Sequence, residues 1–247
     1  MFLKNYLIDG ISATISRLSL IVIFLSQITA CTFSLSVGQT EQASREFVST
    51  TSIALVQLGI EKSERGDFEG AIADFTEALK INPNNVDAYY NFGVAYSQLG
   101  NFELAIVNFS QALKFDPNFV QAYVNRGSIY SQLGNNGKAI ADLTKALKIN
   151  PNDAFGYNNL GVVFLRSGDS SRAVANLTEA LKINPNYAEA YLNRGLARSD
   201  LGDSQGAVAD FQKAADLFWQ QGKWEAYQYV SSLRVSEKDY GKLIKNK

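Results

Sequence analysis

The 247-residue chain carries 23 basic against 24 acidic residues, no histidine and one cysteine, Cys31. The missing histidine excludes Ser-His-Asp and Cys-His catalysis, histidine-ligated zinc or haem, and a histidine pH switch. The lone cysteine excludes an intrachain disulfide and a cysteine-rich metal site, and a net charge of −1 lacks the clustered basic excess that nucleic acid demands.

Residues 1–30 read as a leader. Lys4 and Arg17 precede Leu18–Ile28, eleven mostly apolar residues. That is the size of a signal-peptide apolar region, short of the roughly 20 residues a helix needs to cross about 30 Å of hydrocarbon. The stretch ends Ile28-Thr29-Ala30-Cys31, which resembles a bacterial lipobox: a branched apolar residue three before the cysteine and a small one directly before it. The resemblance implies diacylglycerol on the Cys31 thiol and cleavage just ahead of it. Two or three acyl chains anchor stably, at about 0.8 kcal/mol per buried CH₂. A leader cut without lipidation and an uncleaved anchor are the alternatives, and all three place the body outside the cytosol. Residues 31–51 read as a tether, small, polar and unpatterned from Thr32 to Thr40, with Glu41 to Thr51 a candidate extension of the first helix.

The body is periodic. Only four prolines occur, Pro83, Pro117, Pro151 and Pro185, each 34 residues after the last. Aligned on them, five units follow: 52–85, 86–119, 120–153, 154–187 and 188–221, the fifth with Trp219 in the proline slot. Counting slots from the start of each unit, slot 4 is Leu55, Tyr89, Tyr123, Tyr157 and Tyr191, and slot 8 is always glycine. Slots 20 and 27 are always alanine, and slot 24 is Phe75, Phe109, Leu143, Leu177 and Phe211. Slots 4, 7, 8 and 11 share one face of a helix; slots 20, 24 and 27 share one face of a second. Between them, Gly100-Asn101 and its equivalents close the first helix with a left-handed glycine and cap the second, with Asp67, Asn135, Asp169 and Asp203 in the same capping slot. The proline then ends the second helix, because it lacks an N–H and forces the residue before it extended. A mid-helix glycine costs about 1 kcal/mol relative to alanine, so slot 8 needs a packing reason: the close approach of paired helices beside an aromatic ring.

These slots resemble the tetratricopeptide repeat (TPR) family over 170 of the 247 residues. The resemblance implies an all-α fold, a right-handed superhelical solenoid of antiparallel helix pairs. Arg126 and Arg194 depart from the pattern at slot 7, where their stems are expected along the core edge and their heads in solvent. Leu55, Lys62 and Arg198 read as irregularities of terminal units. Residues 222–247 read as a capping helix and tail, with Trp224, Tyr227, Val230 and Leu233 on one side to cover the open end of the stack.

TPR arrays present first helices on a concave face, which puts slots 2, 5, 6, 9, 12 and 13 in a groove. Slot 6 holds Asn91, Asn125, Asn159 and Asn193. An amide row at one-repeat spacing can bond an extended peptide backbone; the alternative is that the amides satisfy neighbouring helices. Around the row lie Tyr90, Val124 and Asn158 at slot 5, Val94 and Val162 at slot 9, and Phe155 at slot 2. The lysines of chaperone-type TPRs are replaced by Gln121, Val124, Phe155 and Asn158, so binding of chaperone tails is not expected. Asn108-Phe-Ser110 and Asn176-Leu-Thr178 fit glycosylation sequons but sit mid-helix. The expectation is a non-enzymatic adaptor without cofactor, metal or nucleic acid. It would be tethered to a bacterial envelope membrane through Cys31 and bind a protein or peptide partner. A self-associating array and a secreted protein without lipid are the alternatives.

Overall fold

The computed structural model describes the backbone of residues 37–233 and the side chains of residues 48–233. The leader, Cys31 and the lysines of the tail lie outside the described residues. Two compact units divide the chain, Met1–Ala54 and Leu55–Lys247. Helix α1 spans Val37–Glu64, so Val37–Thr40 is helical where the sequence suggests tether. Propagating an existing helix adds one hydrogen bond per residue fixed, so a weakly patterned polar stretch can join one.

The second unit takes in the end of α1 and nine further helices bounded Phe68–Ile81 (α2), Val86–Gln98 (α3), Phe102–Phe115 (α4), Val120–Gln132 (α5), Asn136–Ile149 (α6), Ala154–Arg166 (α7), Ser170–Ile183 (α8), Ala188–Asp200 (α9) and Ser204–Gln220 (α10). Residues 224–233 form α11. No strand occurs among the described residues, and no helix there is long and apolar enough to cross a membrane.

Punctuation follows local chemistry. Gly100 closes α3 at φ 74°, a conformation that costs a residue with a Cβ about 1–2 kcal/mol. The side chains of Asp67, Asn101, Asn135, Asp169 and Asp203 then accept the N–H groups of Gly70, Leu104, Lys138, Arg172 and Gly206 in the first turns of α2, α4, α6, α8 and α10. Second helices stop where the residue before proline turns extended, as at Asn82, Asp116, Asn150 and Asn184.

Packing explains the invariant small residues. Phe75, Phe109 and Phe211 are fully buried, as are Leu143, Leu177 and the slot 20 and slot 27 alanines. Burying one such large side chain contributes about 1.5–3 kcal/mol. A Cβ at Gly93 would stand 2.8 Å from the Phe109 ring, and one at Gly195 2.5 Å from the Phe211 ring. The glycines let the rings lie against the first-helix backbone.

The last junction differs. Without a proline, α10 continues to 17 residues where its counterparts have 14, and the chain leaves it through Gly222 at φ 70°. Val230 of α11 is fully buried beside Phe211, Ala214 and Phe218, with Tyr227 and Leu233 packed on the same cluster. Trp224 does not share that face: it is 52% exposed and meets Trp219 edge-on, ring centroids 4.4 Å apart. Lys223 pairs with Glu189 of α9 at 2.8 Å.

Candidate functional site

The first helices of successive repeats pack on one another, α3 on α5, α5 on α7 and α7 on α9. No comparable packing joins second helices among the described residues. The closely packed side of such a stack is its inner, concave side, so the groove belongs to the first helices.

Along that side the slot 6 asparagines form cross-links. Asn125 Nδ2 donates to the Tyr90 hydroxyl at 3.1 Å, Asn159 Nδ2 to Ser128 Oγ at 3.1 Å and Asn193 Nδ2 to Asn158 Oδ1 at 3.0 Å. Each bond ties one first helix to the preceding one. Asn91 instead donates to Asp87 O in its own helix at 2.8 Å. The amide nitrogens therefore serve the stack. The carbonyl oxygens of Asn125, Asn159 and Asn193 accept no hydrogen bond from the described residues, which leaves acceptors at one-repeat spacing.

The other groove candidates separate by depth. Val124 and Asn158 are 3% and 6% exposed. They form the floor between helices, so a ligand meets Asn158 only through Asn193. Tyr90, Val94 and Val162 are half-buried, and Phe155 presents its ring 51% exposed. Burial raises the pKa of Tyr90, and the bond from Asn125 only partly opposes this. The phenol stays protonated and keeps a proton to donate.

One set of side chains escaped the slot pattern. Arg126 does not send its head into solvent. Its Nε and Nη2 bond both oxygens of Asp142 at 2.7 and 2.8 Å, and its Nη1 reaches Ser110 Oγ of the preceding repeat at 2.7 Å. Arg194 likewise grips Asp210 at 2.9 and 2.7 Å and reaches Thr178 Oγ1 at 3.3 Å. Burial by itself would lower the Arg126 pKa. The hydrogen bonds and charge of Asp142 outweigh it and leave the pKa raised, so the guanidinium stays charged. Arg198, an apparent irregularity, adds a second arginine on Asp210 at 2.8 Å, and Lys62 lies against Asp74. The two sequon hydroxyls, Ser110 and Thr178, are thus arginine acceptors. The signal was present in the sequence as aspartate at slot 23 wherever a base stands at slot 7 or 11.

Among the described residues, no group of three or more Cys, Asp or Glu side chains is placed to hold a metal ion.

Comparison with known proteins gives a consistent picture. Residues 62–100, 95–134 and 127–168 match a family described as TPR repeat, and residues 158–225 match one described as Tetratricopeptide repeat. No curated protein matches the chain in sequence. Among solved structures, MamA protein is 30% identical with a TM-score of 0.62, over 71% of this chain and 96% of that one. YrrB, described as a TPR protein with an unusual peptide-binding site, is 20% identical with a TM-score of 0.59, over 73% and 92%. Pseudomonas aeruginosa pilF is 19% identical with a TM-score of 0.63, over 81% and 99%. The last two likenesses bear on the fold alone.

Proposed function

The chain belongs to the tetratricopeptide repeat family, a typical non-catalytic scaffold for protein–protein contacts, and on that footing we propose that it is a membrane-tethered adaptor. Lipid on Cys31 holds it at a bacterial envelope membrane, and the concave face of its first helices holds an extended segment of a protein partner. The observation that carries the reading is the row of unspent carbonyl oxygens on Asn125, Asn159 and Asn193. Acceptors at one-repeat spacing meet the N–H groups of an extended backbone, which an unpaired chain must satisfy somewhere. Phe155 and Val162 supply apolar surface beside them.

Photo-crosslinking in envelope extracts tests the groove. A photoreactive residue at Phe155 or Val162 is expected to capture a partner that the same probe at Val107, 53% exposed on second helix α4, does not. Capture from Val107 alone would sink the groove reading. Detergent-phase partitioning tests the tether: the wild-type chain enters the detergent phase and Cys31→Ala does not. Equal aqueous partitioning of the two would remove the anchor.

A further inference from the structure

Arginine in this array is matched by acid. Arg65 faces Glu61, Arg126 faces Asp142, Arg172 faces Asp169, and Arg194 and Arg198 share Asp210. Arg166 is the exception among the described residues, with no carboxylate in ion-pairing range. It ends α7 at slot 13, on the groove side. Its Nη1 donates to Ser131 Oγ at 3.2 Å and to Ser131 O at 3.4 Å, on the preceding first helix α5. Those bonds steady the guanidinium across the junction of the third and fourth repeats and leave Nε and Nη2 without a partner among the described residues.

Arg166 lines a cavity of about 120 Å³ whose other walls include Ser128, Gln132, Asn159 and Val162. A water takes about 30 Å³ of liquid, so the space admits the head of a small polar side chain. The neighbouring slot 13 residues do not neutralise the charge. Gln98 and Gln132 are neutral, and Asp200, one repeat further on, makes no ion pair with Arg166 and accepts from Ser170 Oγ at 3.1 Å. A guanidinium presents its N–H groups as a planar fork that matches a carboxylate. Here that fork stands open in a groove otherwise lined by amides, hydroxyls and valines.

We propose that Arg166, with Ser131 and Gln132 beside it, anchors a carboxylate carried by the bound segment, an acidic residue of an extended peptide seated between α5 and α7. The proposal rests on the groove being the peptide site. It lies away from slots 2 and 5, where Gln121, Val124, Phe155 and Asn158 leave no cation.

A position-scanning library of synthetic dodecapeptides, made both as C-terminal acids and as C-terminal amides, is probed with the full chain in detergent. The variants Arg166→Gln and Arg166→Glu are probed in parallel, each checked by circular dichroism. The wild type is expected to select Asp or Glu at one position. Retention by the amides supports the acidic side chain; binding of acids alone would mark the peptide terminus and overturn it. Arg166→Gln is expected to weaken the selected peptides by roughly tenfold or more, as loss of a charge-assisted bond does, and to lose the preference for Glu over Gln at that position. Arg166→Glu is expected to select Lys there. Selection of peptides with no acidic position, or an intact Glu-over-Gln preference in Arg166→Gln, overturns the anchor while the groove reading stands. Selection of no peptide by the wild type overturns both.

Discussion

Repeats 1, 3 and 5 and repeats 2 and 4 share one backbone plan and solve its side-chain problem in two ways. In the odd repeats the wall between first and second helix is ionic: Lys62 with Asp74, Arg126 with Asp142, Arg194 and Arg198 with Asp210. In the even repeats slots 7 and 23 hold Phe92 with Asn108 and Leu160 with Asn176, and slot 11 is aromatic, Tyr96 and Phe164. There each asparagine turns its amide back to its own helix, to Leu104 O and Arg172 O. The invariant glycines and alanines fix the approach of the helices. What fills the remaining space can be a salt bridge or a hydrocarbon, provided both slots agree. The arginines also reach backward, Arg126 to Ser110 and Arg194 to Thr178, which couples repeat 2 to 3 and repeat 4 to 5.

The sharpest way to break this comparison is to remove one ionic partner. Asp210 is 3% exposed, and Asp210→Ala would leave Arg194 without a counter-charge and Arg198 with only Asp203, 3.6 Å away. A cost of about 3–5 kcal/mol is expected, against about 1 kcal/mol for Asn176→Ala at the equivalent slot, both read from urea unfolding of the full chain. Equal losses would mean that the two kinds of wall are energetically alike. Converting one kind into the other is expected to matter less. Arg126→Leu with Asp142→Asn rebuilds repeat 3 on the pattern of repeat 4, and stability should stay within about 1 kcal/mol of wild type, since well-packed hydrocarbon replaces a buried ion pair at little cost. A double variant no better than Asp142→Asn alone would refute the equivalence.

The smallest effect concerns the caps, which do not follow the alternation. The Asp169 carboxylate is held below its ordinary pKa, first by the Arg172 backbone N–H and then by the Arg172 side chain. A depressed carboxylate stabilises the folded state above the ordinary aspartate range and loses that contribution as pH falls through the folded value. An NMR titration of the Arg172 amide should therefore show a midpoint below the ordinary aspartate value, absent in Asp169→Asn. No such step is expected at the first turn of α4, which the neutral Asn101 caps.

Much of the fold was legible because its instructions act locally and recur. Asn101 caps a helix that starts at the next residue, Pro117 ends one within two residues, and the Gly93–Phe109 contact joins slots that repeat five times. The ionic walls were harder to read. Arg126 and Asp142 occupy slots whose residues change from repeat to repeat, and Arg126 alone looks like a departure from an apolar slot. The slot 6 asparagines were placed on the groove side by periodicity. What their amides do depends on the neighbour one repeat back, which is Tyr90 for Asn125, Ser128 for Asn159 and Asn158 for Asn193. A recurring letter does not reveal a partner that changes from repeat to repeat. Phe155 reaches the surface while Val124 and Asn158 do not, because slot 5 turns toward the following first helix, as the bond from Asn193 to Asn158 shows.

The proline junctions have a consequence for how such an array changes in length. Pro83, Pro117, Pro151 and Pro185 mark interchangeable seams, and a duplication or deletion between any two of them restores a continuous stack. Past Pro185 the chain runs through Trp219 to Gly222 and α11, a seam of a different kind that accepts no extra repeat. Because the arginine clamps reach from odd repeats into even ones, the seams also have a parity: insertion of a single repeat would set two walls of the same kind side by side, while insertion of a pair would not. Recombination within this gene should therefore lengthen or shorten the groove in two-repeat steps.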